Sequence, residues 1–492
     1  MHKHVRLLAG LLVILIHGKT WSAERLEPSQ ATMGHTRSVS LNGETVDVSL
    51  QDAVFLALRG NRQIRSAYLG RIAQKFDLRV AEDRFTPKLV LAGQYSSARN
   101  QDGNASQGAL TPTATLLSKV GTQFSLSWTS LFSRIGNNGR FQDDGVTFQI
   151  IQPLLRGAGS DIATAPVRLA RLAEERNKLD LQSAVSRTVT QTVIAYREVL
   201  RAQAQLQITR DALARSEKLL EMNRALIAAG RMAAVDIVQT EANVATQELD
   251  VEEAQNRLAS SRATLLQLIG VDLTTRIRAS DDMRAETTAI GLAQAEDVAL
   301  SHQPDYLKQL IAQEEAKINL AVAKNNRLWD VSLVAGAGQG RDRVAGDFGA
   351  FSNRHWQGYV GVQVQIPIGD LTLRQADVHA AVGVETTNVQ AAESEVRLRK
   401  DVDDAVRDVL SRWRQYQISQ RALDLSRRTL EIEHEKLQVG RSSNFQVLSF
   451  ETALRSAENA RLNALIGYLN AQTELDQRLG MTLHSWDISL ND

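Results

Sequence analysis

The chain has 492 residues, 43% hydrophobic but only 5% aromatic, and its bulk of Ala, Leu, Val, Gln, Glu and Arg favours long helices over compact cores. A net charge of +1, without any basic block, argues against a nucleic-acid partner. The absence of cysteine excludes disulfides, thiol catalysis and lipid attachment at a cysteine.

The N-terminus opens with the basic "MHKHVR" and the apolar "LLAGLLVILI", too short to span a bilayer, and "TWSAE" then offers small residues near Ala23. Residues 1–23 therefore read as a secretory signal peptide, and 24–47 as a polar, poorly ordered lead-in. No later run is apolar enough for a membrane-spanning helix.

From residue 48 the chain follows one plan twice. "LQDAVFLALRGNRQI" (50–64) matches "LAQAEDVALSHQPDY" (292–306), and the halves are 48–272 and 291–482, joined by a linker over 273–290 and followed by a tail over 483–492. A period this long means internal duplication, not a solenoid. The first half predicts a helix over 49–86, strands within 88–155, a long helix over 160–229 and another over 231–269. The second predicts helix 292–326, strands within 330–367, a long helix 372–438 and helix 442–479. Prolines such as Pro87, Pro153, Pro304 and Pro367 all fall before, between or at the ends of these elements.

In "WQGYVGVQVQIP", Trp356, Gly358, Val360, Val362, Val364 and Ile366 share one face, and Gln357, Tyr359, Gly361, Gln363 and Gln365 the other. "KLVLAGQYSS", "VTFQIIQP" and "VSLVAGAG" are weaker versions. Such alternation suits an outer-membrane β-barrel, apolar side to lipid; the alternative is a half-buried sheet in a soluble domain. The first half is longer than the second, mostly between Pro87 and Pro153, and "GTQFSLSWTS" lies in the excess. Up-down direction needs an even strand number, so an added hairpin is predicted over 113–131, turning at Lys119-Val120-Gly121. The expectation is that it extends the sheet beyond the membrane; the alternative is that it joins the barrel, making eighteen strands in a trimer.

The long helices carry heptads. Val402, Val409, Tyr416, Leu423, Leu430 and Leu437 form one seam, and Ile418, Leu425, Ile432 and Val439 a second, about 154° away at about 3.5 residues per turn. Two nearly opposed seams give a helix a neighbour on each side, as in the wall of a twelve-helix tube; the alternative is a thick soluble bundle. The shorter helices of each half, stacked end to end, would run alongside the long one.

"LIAAGRMAAVDIVQTE" (226–241) and "LQVGRSSNFQVLSFE" (437–451) each look like a helix broken at a glycine and resumed. Gly230 and Gly440 read as helix C-caps, with Arg231 and Arg441 against the carbonyl ends. The glycines are preceded by Ala229 and Val439, and each is followed forty positions later by another glycine, Gly270 and Gly480.

The order and duplication of these signals resemble the TolC-like outer-membrane efflux proteins over nearly everything after residue 48. The resemblance rests on "LxxAxxxAL" opening each half, "QPLLRGAG" (152–159), "IPIGD" (366–370) and the two glycine hairpins. It implies a mainly α fold with a small β part, a homotrimer in which each chain gives four strands to one twelve-stranded β-barrel in the outer-membrane lipid, and a long periplasmic α-helical barrel. It implies a passive exit duct, docked by a periplasmic adaptor and an inner-membrane pump or ABC transporter. The adaptor would grip the tips at Ala229, Gly230, Arg231, Val439, Gly440 and Arg441. Tunnel-mouth candidates are Asp236, Leu437, Gln446 and Ser449; Gln446 and Ser449 replace carboxylates, and Leu437 an aromatic, of well-known members. A periplasmic coiled-coil adaptor or scaffold without a barrel is the rival reading. No GxSxG, Walker loop or HExxH occurs and the nine histidines are scattered, so neither an enzyme, a metal nor a cofactor is expected.

Overall fold

The computed structural model describes residues 45–100, 103–135, 139–231, 233–287, 291–346 and 349–490. The signal peptide reading and most of the lead-in lie outside them.

Short helices and strands precede each long rod. Strand β1 (Val46–Val48) leads into α1 (Leu50–Gly60) and α2 (Arg62–Glu82), then come β2 (Lys88–Asn100), β3 (Gly103–Leu117), β4 (Gln123–Ile135) and β5 (Gly139–Pro153). A single turn, α3 (Ser160–Ala163), precedes the 64-residue α4 (Ala165–Ala228) and α5 (Asp236–Ile269). After β6 (Ile277–Ala279), the second half runs α6 (Leu292–His302), α7 (Pro304–Asn326), β7 (Asp330–Gly346), β8 (Gly349–Gln365), the 68-residue α8 (Leu371–Gln438), α9 (Asn444–Arg478) and the short α10 (Thr482–Ser485). At 1.5 Å per residue the two rods are each about 100 Å long.

Four helices lie side by side both towards the sheet and towards the hairpins. Towards the sheet the order is α2, α4, α7, α8; towards the hairpins it is α5, α4, α9, α8. One heptad seam of α8 packs inside this wall, with Val402, Val409, Leu423, Leu430 and Leu437 buried, while Ile418, Leu425, Ile432 and Val439 of the other are exposed. At the opposite edge α2 exposes Leu69, Ile72, Phe76 and Val80, and α5 exposes Val238 and Leu249. Both edges of the wall are thus apolar and uncovered.

The pairs of shorter helices do stack end to end, and the later glycines make it possible. Gly270 caps α5 at φ +70°, and a Cβ there would lie 2.2 Å from the Gly60 carbonyl oxygen. Gly480, at φ +74°, would meet the His302 oxygen at 2.4 Å. Only glycine lets the two helix ends approach this closely.

The structure corrects several sequence readings. Helix 49–86 is two helices, because the Asn61 side chain accepts from Gln63 and Ile64 amides at 2.8 and 3.3 Å and so starts a new helix. Helix 292–326 is likewise restarted by Gln303, which accepts from Asp305 and Tyr306, with Pro304 in the first turn. The lead-in and the linker are partly ordered: Val46–Val48 pairs in parallel with Ile277–Ala279. The Tyr196 hydroxyl fastens this small sheet to α4, 2.8 Å from the Val48 carbonyl and 2.6 Å from the Asp281 carboxylate. The tail also packs, with Leu483 buried against Val54, Ile64, Leu181 and Val185.

The added hairpin turns at residues 118–122, and its strands run longer than 113–131, over Gly103–Leu117 and Gln123–Ile135. All six long strands form one antiparallel sheet, in the order β2-β3-β4-β5-β7-β8. Residues 113–131 belong to that sheet through β3, β4 and the turn between them. They lie within it, β3 registered against β2 from Thr115↔Lys88 and β4 against β5 from Gln123↔Ile151. The turn between them closes by Ser118, whose carbonyl accepts from Gly121 and whose hydroxyl accepts from the Thr122 amide at 3.0 Å. Among the described residues no helix is long and apolar enough to cross a membrane.

Candidate functional site

Both hairpin tips stand at the end of the wall remote from the sheet, and both are built alike. At the first, the Gly230 amide donates to Ile227 O and the Arg231 amide to Leu226 O, each at 2.9 Å. At the second, Gly440 donates to Leu437 O at 3.0 Å and Arg441 to Lys436 O at 2.8 Å. This paired cap satisfies the last carbonyls of α4 and α8 and requires a left-handed residue, which Gly230 (φ +66°) and Gly440 (φ +74°) supply. Around either glycine a Cβ would meet nothing within 4 Å. The caps therefore need the conformation of glycine, not its small size. Ala229, Arg231, Val439 and Arg441 are all exposed. The Arg231 guanidinium reaches across to the Gln438 carbonyl at 3.5 Å, so the two tips are immediate neighbours.

The mouth candidates separate. Asp236 opens α5 and is half-buried, its carboxylate in the first turn of the helix. Ser449 is exposed on α9. Gln446 serves the helix start instead: its side chain accepts from the Ser443 amide while its own amide donates to Ser443 Oγ, both at 3.3 Å. Leu437 points inward, 5% exposed, among Leu219, Leu430, Val447 and Leu448. A side chain so covered cannot line an opening.

Residues not singled out from the sequence hold the hairpins together. Asn223 of α4 donates to Thr240 Oγ1 of α5 and to Asn444 Oδ1 of α9, both at 2.8 Å; Asn444 donates to the same Thr240 hydroxyl at 2.9 Å. All three side chains are buried. Deeper in the wall Arg215 meets Glu451 at 2.8 Å and Glu458 at 3.7 Å, and Arg455 pairs with Asp250. Burial pushes the Glu458 carboxyl above the usual carboxylate range, although Arg215 and Arg427 pull it down. The only sequence signal for this cluster is a polar residue on an otherwise apolar seam. No group of residues able to hold a metal ion occurs among the described residues.

With this geometry in view, comparisons with known proteins agree on the family. The family model described as outer membrane efflux protein matches residues 54–271 and 296–481. The chain is 24% identical over 314 residues to the outer membrane protein TolC of Vibrio cholerae, a match spanning 60% of this chain and 67% of that one. It is 24% identical over 371 residues to the alkaline protease secretion protein AprF of Pseudomonas aeruginosa, spanning 71% and 73%. Among solved structures, the Campylobacter jejuni CmeC outer membrane channel superposes with a TM-score of 0.67 at 16% identity, covering 88% of this chain and 86% of that one. The outer membrane protein VceC of Vibrio cholerae gives 0.67 at 17% identity, over 88% and 96%. The mainly α fold with a β part is the fold of those channels. The chain belongs to the outer membrane efflux protein family.

Proposed function

We propose that three copies of this chain assemble into the exit duct of an export machine, the sheets closing in the outer membrane and the helices forming a tube in the periplasm. The observation that carries the reading is the coincidence of uncovered edges. The apolar seams of α8 on one side, and of α2 and α5 on the other, lie at the same two edges as the unpaired margins of β8 and β2. A free strand edge and a free apolar seam both call for a neighbour, and a second copy supplies both at once. With four helices per copy, three copies make the twelve-helix ring that the angle between the α8 seams suits. The N-terminal signal peptide would deliver the chain, and without cysteine it carries no lipid anchor at one.

In this assembly six tips ring the periplasmic end, each with its exposed arginine. Guanidinium groups bind carboxylates and carbonyls in fixed, often bidentate geometry, so the ring suits an adaptor hairpin presenting acidic side chains or helix C-termini. An inner-membrane pump or ABC transporter behind the adaptor supplies energy, while the duct is passive. A coiled-coil scaffold without a barrel is disfavoured by the six-stranded sheet with its continuous apolar face. Fractionation tests the proposal: the protein should partition with outer membranes, resist salt extraction and migrate as a trimer before heating. Recovery as a salt-extractable periplasmic monomer would refute it.

A further inference from the structure

Resting on the exit-duct reading, we infer that β3 and β4 are part of the membrane wall, so that the barrel has eighteen strands and its interface joins β8 of one copy to β2 of the next. Strand register carries the inference. Following the pairs across the sheet puts Leu89 and Leu91 on the same face as Ala114 and Pro112, then Leu126, then Phe148 and Ile150, then Ala335 and Leu333, then Val360 and Val362. One apolar band thus runs unbroken across all six strands. The inserted strands contribute Leu110, Leu116, Phe124, Leu126 and Trp128 to it. Behind them the opposite face is mainly small or polar, with Thr113 and Thr115, Ser125 and Ser127, Thr147 and Gln149, Gly336 and Gly338, Gln357 and Gln363, and with Val90 and Tyr359 as the large side chains among them. A hairpin outside the bilayer has no use for a lipid-compatible face in register with its neighbours.

An aromatic contact fastens the insert on that same face. Phe132 of β4 covers Gly108 of β3, where any Cβ would fall 2.1 Å from its ring, and Tyr95 of β2 stacks on Phe132 with centroids 6.4 Å apart. Three strands are spanned by one pair of rings at the rim of the band, as in the aromatic girdles of membrane barrels. Between these rings and Trp128 the same face carries a polar pair, Ser130 donating to Asp144 at 2.6 Å, with Arg343 3.5 Å from the same carboxylate.

The edges name the occupant. Exposure on the apolar face is greatest on the outermost strands, 76% at Leu89 of β2 and 83% at Trp356 of β8, against 38% at Trp128 in the middle. Because β2 runs outward and β8 inward, the edge of one copy meets the edge of the next antiparallel. A barrel of eighteen strands tilted by about 40° is about 36 Å across its backbone, against about 24 Å for twelve. Twelve helices spaced by about 9–10 Å make a ring of about 36 Å as well. The duct therefore keeps its width from periplasm to exterior, and a polar bore of about 25 Å takes hydrated cargo wider than a single helix of about 10–12 Å.

The absence of native cysteine gives a direct test in isolated outer membranes, with single cysteines and a charged, membrane-impermeant thiol reagent. Ser127→Cys in β4 and Gln363→Cys in β8 should be modified, and Leu126→Cys and Val362→Cys should react roughly tenfold or more slowly, since lipid excludes the reagent. Thr129→Cys and Trp128→Cys provide a second pair in β4 should either of the first misassemble. If the β8 pair alternates while both β4 pairs react on both faces, the hairpin lies outside the wall and the inference fails, with the exit duct intact. If the β8 pair does not alternate either, the chain has no lipid-facing barrel and both readings fall.

Discussion

Replacing Asn444 by alanine should loosen the two hairpins where they touch. Asn444 links α9 to α4 and α5 through hydrogen bonds of 2.8 and 2.9 Å, inside a site from which water is excluded. Asn223 Oδ1 already lacks a partner there, and as part of the same amide it cannot accept the Nδ2 hydrogen that the substitution would orphan. Losing two buried bonds at about 1 kcal/mol each, and orphaning one Asn223 donor hydrogen, costs about 2–4 kcal/mol. That corresponds to an opening equilibrium raised by roughly 30- to 800-fold. Hydrogen–deuterium exchange of the detergent-solubilised oligomer, read on peptides covering 219–245 and 436–455, measures it. Thr240→Val, which keeps the shape and removes the shared acceptor, should act in the same direction. Exchange within about threefold of wild type in both variants would refute the assignment of this cluster as the tie between hairpins.

Arg231→Glu combined with Arg441→Glu should leave a trimer in the outer membrane and abolish export; normal export at wild-type abundance would leave the arginines only their place beside the caps. Gly270→Ala and Gly480→Ala should reduce assembled protein more than Gly230→Ala and Gly440→Ala. All four incur left-handed strain of roughly 1–2 kcal/mol, but only the first two drive a Cβ into a neighbouring carbonyl. Equal losses, measured as heat-sensitive trimer, would contradict the junction. The proposed tunnel mouth, where Gln446 and Ser449 carry no charge, should be only weakly cation-selective in planar bilayers. Strong selectivity abolished by replacing a carboxylate other than Asp236 would overturn that. Glu458 has its carboxyl raised by burial, so ionisation penalises the folded state above the ordinary carboxylate range and the penalty vanishes in acid. Glu458→Gln should therefore raise thermal stability at about pH 8 and leave it unchanged at about pH 4; an equal effect at both would exclude the mechanism.

Local patterns carried much of this fold. Alternation in β8, the heptads of α8 and the glycines of both tips depend on neighbours a few residues away, and such periods are readable in a single chain. The Asn61 and Gln303 breaks escaped because a restarted helix keeps its helical composition on both sides; only Pro304 signals one of them. The pairing of β1 with β6 is invisible for another reason, since three-residue strands more than 200 residues apart carry no period of their own. Placing the added hairpin required its partners: "GTQFSLSWTS" states its own two faces but not which strands flank it. At the site, the cap glycines were legible and the mouth was not. Leu437 and Gln446 have the same polarity whether they face an opening or not, and only packing shows one buried and the other closing a capping box.

End-on electron-microscopic averaging of the assembly purified from outer membranes tests the central claim most directly. A threefold ring around an open lumen is expected, with a long helical tube on one side and a β-section of eighteen strands on the other. A monomer, or a helical bundle with no central passage, would contradict it.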